Sequence, residues 1–91
     1  MITIIPPAGD IEIREGGEPS LDTLQSLVGG YIELVTLEEE GCEVHAICNE
    51  EGLLKGLPFN PRAEERVRGV VNTGPGAVGT WVFLDGNSLL T

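Results

Sequence analysis

Apolar and polar positions fall into short blocks along the chain, and glycine or proline separates most of them. Ile2-Thr3-Ile4-Ile5 is a β-branched run suited to a pleated strand. Pro6-Pro7-Ala8-Gly9-Asp10 is a turn, and Ile11-Glu12-Ile13-Arg14-Glu15 alternates apolar with charged. Together they predict a β-hairpin with one wet face. Gly16-Gly17-Glu18-Pro19 breaks the chain. Ser20 is a good N-cap, and Leu21, Leu24, Leu27 and Val28 follow at helical spacing until Gly29-Gly30 ends the run. Tyr31 to Leu37 and Cys42 to Cys48 read as two strands joined by an acidic turn, Glu38-Glu39-Glu40-Gly41. This second hairpin is expected in the middle of the sheet. After the turn Asn49-Glu50-Glu51-Gly52, Pro58-Phe59-Asn60-Pro61 leads into a second helix over Arg62 to Arg68. Asn60 fits its N-cap and Pro61 its first position. Glu64 and Arg68 stand at the supportive i,i+4 spacing. Val78 to Leu84 is the last strand.

The order β-β-α-β-β-α-β predicts an α+β fold, a single small domain over residues 1–91. The sheet is mainly antiparallel, of about five strands, with two short helices covering one face. A domain of this length buries about two-thirds of its unfolded surface, so its core is thin. The longest apolar runs are about five residues, whereas a membrane span needs about twenty. The start of the chain has no basic flank and is interrupted by Pro6-Pro7, so no secretory signal is expected and the cytoplasm is the expected location.

Charge narrows the function. The net charge is -10, which repels bulk nucleic acid. Solubility is the plain explanation. Mimicry of a DNA backbone, or a basic or metal partner, are the alternatives. Carboxylates cluster as Glu38-Glu39-Glu40 and Glu50-Glu51. The five basic residues are Arg14, Lys55, Arg62, Arg66 and Arg68, and four of them fall within residues 55–68. That asymmetry is the most informative feature of the charge pattern.

Cys42, His45 and Cys48 are possible zinc ligands, but in a strand 42 and 48 share a face and 45 points to the other. The cysteines lie about 20 Å apart in an extended strand, too far for a disulfide. Free thiols, no metal and no catalytic Cys–His pair are expected. Gly74-Pro75-Gly76-Ala77-Val78-Gly79 lacks the lysine and hydroxyl of a phosphate-binding loop and leads into a strand. It reads as a tight turn entering an edge strand, although exposed amides there could hold an anion. The better candidate is the start of the second helix. Its free N–H groups attract anions, Arg62 adds a planar fork, Arg66 lies one turn on, and Phe59 could stack on a base. The competing reading pairs both arginines with carboxylates and uses Phe59 as a hydrophobic staple. Trp81, the one tryptophan, is either core or a stacking platform.

The blocks Leu21-x-x-Leu24-Gln25-x-x-Val28-Gly29-Gly30-Tyr31-Ile32-Glu33, Asn49-Glu50-Glu51-Gly52, Gly56-Leu57-Pro58-Phe59-Asn60-Pro61-Arg62-Ala63 and Gly76-x-x-Gly79-x-x-Val82 span nearly the whole chain. Their order resembles a family of small uncharacterised proteins of phages, plasmids and actinobacterial or clostridial mobile elements, the domain of unknown function three-eight-four-six. The resemblance implies an accessory protein of a mobile element, placed in the host cytoplasm if phage-encoded. It supplies no activity and no catalytic residues.

The resulting expectation is a non-enzymatic, phage-type counter-defence protein without a cofactor that sequesters a small nucleotide-derived immune signal. Arg62 and Arg66 would hold phosphates, Asn60 a sugar or base edge, and Phe59 or Trp81 the ring. A homo-oligomer would help so small a chain enclose a ligand. The alternative is an acidic protein–protein inhibitor, possibly a DNA mimic, of a host defence or DNA-processing protein. Neither reading involves a membrane.

Overall fold

The computed structural model describes residues 1–16, 19–69, 74 and 76–85. Seven elements follow in the expected order: β1 (Ile2–Ile5), β2 (Glu12–Arg14), α1 (Leu21–Val28), β3 (Ile32–Glu39), β4 (Cys42–Asn49), α2 (Pro61–Val67) and β5 (Trp81–Leu84). The strands form one sheet in the order β2-β1-β5-β4-β3, with every neighbouring pair antiparallel. This is the α+β class that the pattern predicts.

Strand placement departs from the expectation in two ways. β5 is not an edge strand but the centre of the sheet, between β1 and β4. The β3–β4 hairpin consequently lies at one side, with β3 outermost among the described residues. The reason is burial. All four residues of Trp81-Val82-Phe83-Leu84 are buried, and such a run is stable only where strands flank it and layers cover both faces.

The helices accordingly lie on opposite faces rather than on one. Leu24 and Val28 of α1 pack with Ile2, Ile4, Ile47, Val82 and Leu84. Ala63 and Val67 of α2 pack with Ile5, Leu37, Val44, Ala46, Trp81 and Phe83. The two sets interleave residue by residue along β1, β4 and β5, as the twofold alternation of a strand requires. Two thin apolar layers therefore replace one thicker core.

Local chemistry sets the element ends. Ser20 Oγ accepts a hydrogen bond from Thr23 N at 3.1 Å, and Gly29 closes α1 at φ 81°, a left-handed conformation that glycine adopts without steric cost. Leu21, the first member of the expected apolar stripe, is 57% exposed, so only the later turn of α1 seals the sheet. β3 runs to Glu39, two residues further than its pattern predicts, because the register Glu39↔Cys42 leaves only Glu40-Gly41 as the turn. Both turn residues have positive φ, 54° and 80°. That geometry suits a right-twisted hairpin but strains a glutamate.

Replacing Glu40 with asparagine, which tolerates the left-handed region, is expected to stabilise the domain by about 0.5–1 kcal/mol. Urea denaturation of Glu40→Asn beside the parent chain reads this as a higher midpoint at unchanged slope.

Candidate functional site

Asn60 precedes α2 and is 0% exposed. Its Oδ1 accepts from Ala63 N at 3.0 Å, and its Nδ2 donates to Ile5 O and Gly79 O, both at 2.8 Å. Its backbone N–H donates to Ala77 O at 2.8 Å. Asn60 thus ties the start of α2 to the end of β1 and to the segment entering β5. It was expected to touch a sugar or base edge; complete burial and fully engaged amide groups leave it no reach to a ligand.

The two arginines are engaged as well. Arg66 grips Glu39 through two bonds, Nε to Oε2 at 3.0 Å and Nη2 to Oε1 at 2.9 Å. Its guanidinium carbon lies 4.1 Å from the centre of the Phe83 ring, and Asp85 is 3.9 Å from Nη2. The hydrogen bond from Arg66 holds the Glu39 carboxyl below the usual carboxylate range. Arg62 donates Nη2 to Pro6 O at 2.7 Å. The competing reading of Arg66, a partner for a carboxylate, is therefore the one the geometry bears out, and Arg62 serves a backbone carbonyl.

The glycine-rich segment is likewise closed to an anion at two of its amides. Ala77 N donates to Glu64 Oε1 at 2.8 Å and Gly79 N donates to Pro58 O at 2.8 Å. Phe59 is 52% exposed and lies over Gly76, where a Cβ would come within 2.7 Å of the ring. Glycine is required there both for this approach and for a φ of 145°. Trp81 is 4% exposed, stacks on Phe83 at 6.1 Å between ring centres, and donates Nε1 to Val78 O at 3.2 Å. It is a core residue that also forms part of a pocket wall.

That pocket has a volume of about 370 Å³. It lies on the α2 side of the sheet, beside outer strand β3. Val35, Ala77, Val78 and Trp81 supply apolar wall, Leu53 and Leu54 one lip, and Glu33, Glu50 and Glu51 the carboxylates. Asn49 supports it from below: Nδ2 donates to Val28 O at 3.1 Å, and Oδ1 accepts from Glu51 N at 2.8 Å. The end of α1 and the acidic turn are thereby fixed to one side chain. All five basic residues lie in the described segments, and none lines this pocket.

Of the expected site residues, the structure brings only Trp81 to the pocket; Phe59 lies nearby across Gly76, and Asn60, Arg62 and Arg66 do not line it. Glu33, Asn49, Glu50 and Glu51 line the pocket and are not among the expected site residues. In sequence, the block from Asn49 to Gly52 looks like any acidic turn.

Cys48 forms part of the pocket floor opposite Glu33. Burial, and then the Glu33 charge, push its thiol up to about 12, so it stays protonated and weakly nucleophilic at neutral pH. His45 lies on the other face, with Nδ1 3.2 Å from Thr36 Oγ1 and Nε2 3.5 Å from Glu43. Cys42 is exposed near the hairpin turn. The three side chains do not converge.

Two stability predictions follow from these contacts. Asn60→Ala strands the Ile5 and Gly79 carbonyls and removes a helix cap, and should cost about 3 kcal/mol in a urea titration. Glu39→Gln should cost about 1 kcal/mol at neutral pH. Because the Glu39 pKa is lowered on folding, its contribution is present above the unfolded carboxylate value and disappears as pH falls through the folded one. The difference between Glu39→Gln and the parent should shrink on acidification; a constant difference down to acid pH would remove the ion pair as its cause.

Comparison with curated proteins and with solved structures finds no match. The sequence profile of the family described as Domain of unknown function (DUF3846) matches residues 1–88. With the match covering nearly the whole fold just described, the chain belongs to the DUF3846 family.

Proposed function

We propose that this chain is a non-enzymatic binding domain that captures a positively charged segment of another protein. Such a role is that of an acidic inhibitor of a host defence or DNA-processing protein, which suits the mobile-element accessory protein that the family resemblance implies. The pocket carries the reading. Its walls are apolar, its charged members Glu33, Glu50 and Glu51 are all acidic, and the chain around it has a net charge of -10. A cation with an apolar stem suits such a surface, because the stem is dehydrated by the walls while the charge stays near the rim.

Sequestration of a nucleotide signal is the reading this displaces. It needs guanidinium groups free to meet phosphate, whereas Arg66 is held by Glu39 through two bonds and Arg62 gives one N–H to Pro6 O. A phosphate at the pocket would also meet three carboxylates and no base. The feature that favours a nucleotide is the Trp81 wall, where a ring could pack.

Thermal shift separates the two. An arginine-rich peptide at a hundred times its dissociation constant should add about 2.7 kcal/mol, a rise of several degrees, and the rise should diminish with salt. Cyclic nucleotides, cyclic oligonucleotides and ADP-ribose derivatives should leave the melting temperature unchanged. A salt-resistant shift with a nucleotide and none with the peptide would reverse the assignment.

A further inference from the structure

The shape of the partner segment can be read from the strand beside the pocket. β3 is the outermost strand on its side of the sheet among the described residues, and its eight residues pair with β4 in unbroken register from Ile32↔Asn49 to Glu39↔Cys42. No proline or bulge interrupts it. The opposite edge, β2, has only three residues. Long, flat edges are the ones to which further strands add, and proteins usually blunt them.

The backbone phase of β3 follows from one bond. Glu50 N donates to Tyr31 O at 2.9 Å. In an antiparallel ladder, hydrogen-bonded and non-hydrogen-bonded pairs alternate. Residues 33, 35, 37 and 39 therefore bond toward β4. Ile32, Leu34, Thr36 and Glu38 direct their N–H and C=O groups outward, away from the sheet.

The side chains alternate in step with this. Glu33 and Val35 line the pocket, and on the other face Leu34 is 46% exposed. A strand laid against β3 would place every second side chain on the face of Glu33, over the pocket. The intervening side chains would fall beside Leu34. Charge selects the occupant. β3 carries Glu33, Glu38 and Glu39 and no basic residue, so a second copy of β3 would bring carboxylates against carboxylates. Of these three, Glu39 is the one whose charge is answered among the described residues, by Arg66.

We infer that the partner binds as an added strand on β3, through an extended segment in which basic and apolar residues alternate. The basic side chains reach the Glu33, Glu50 and Glu51 pocket and the apolar ones cover Leu34. This inference rests on the binding role proposed above and gives it a backbone geometry.

The probe is a synthetic peptide alternating arginine with valine, with Kd followed by Trp81 fluorescence and checked by calorimetry. N-methylation of alternate residues blocks the hydrogen bonds of one edge of the peptide only. The set facing β3 should weaken binding roughly tenfold or more, and the other set should leave it unchanged. The sensitive set is the valines for an antiparallel addition and the arginines for a parallel one. Leu34→Pro removes an outward N–H without touching the β4 ladder and should weaken binding to a similar extent, with a melting curve to confirm folding. Binding that ignores the N-methyl pattern would overturn the added strand while leaving the acidic pocket as the site. No binding by any basic peptide would overturn both readings. A concentration-dependent dimer abolished by Leu34→Pro would assign the edge to a second copy instead.

Discussion

The carboxamide of Asn60 lies where three separate stretches of chain meet: the end of β1, the start of α2 and the residues entering β5. Two of these groups lie at the ends of regular elements, Ile5 in β1 and Ala63 in the first turn of α2, and the third, Gly79, lies in a loop; a strand end and a helix start leave backbone groups to be satisfied from outside. One side chain satisfies three of them at once, in a site without access to water. Removing it would leave buried polar groups unpaired at three places rather than at one, and each is costly in a domain whose apolar layers are thin. The seating of α2 on the sheet, the Arg66–Glu39 bond and the wall formed by Ala77 and Val78 all depend on that junction.

Much of the fold was legible because its signals are local. Ser20 and Gly29 bound α1, Asn60 and Pro61 start α2, and the β-branched run Ile2–Ile5 and the strand-like stretch from Tyr31 to Leu37 give strands. Where each element goes was less legible. The unbroken apolar run Trp81 to Leu84 signals burial on two faces, but nothing near it in sequence says that β1 and β4 are its neighbours. The same limit applies to the site. The basic cluster between residues 55 and 68 looks free in sequence because the carboxylate that neutralises Arg66 lies 27 residues earlier. The pocket is assembled from β3, the end of β4, the following turn and the entry to β5, so no contiguous motif announces it.

Charge has a double use in this domain. Glu39 serves structure: it answers Arg66 and helps hold α2 over Phe83. Glu33, on the same strand but far from the hairpin turn, faces a pocket instead and adds to the upward shift that burial imposes on the thiol opposite it. The distinction between structural and unanswered carboxylates, more than the total of -10, marks where a cation could be received.

The central position of β5 also governs how the molecule must assemble. Ile2 pairs with Leu84 across almost the whole chain, and β4 cannot reach β1 except through the same four residues. Until residues 81–84 dock, the hairpins β1–β2 and β3–β4 are two separate ribbons, each with an apolar flank and an open side. Closing so long a loop before its contacts form is entropically slow. A growing or truncated chain lacking β5 would thus hold most of its local structure and none of its sheet continuity, and would depend on being shielded from other unpaired strands until the last one arrives.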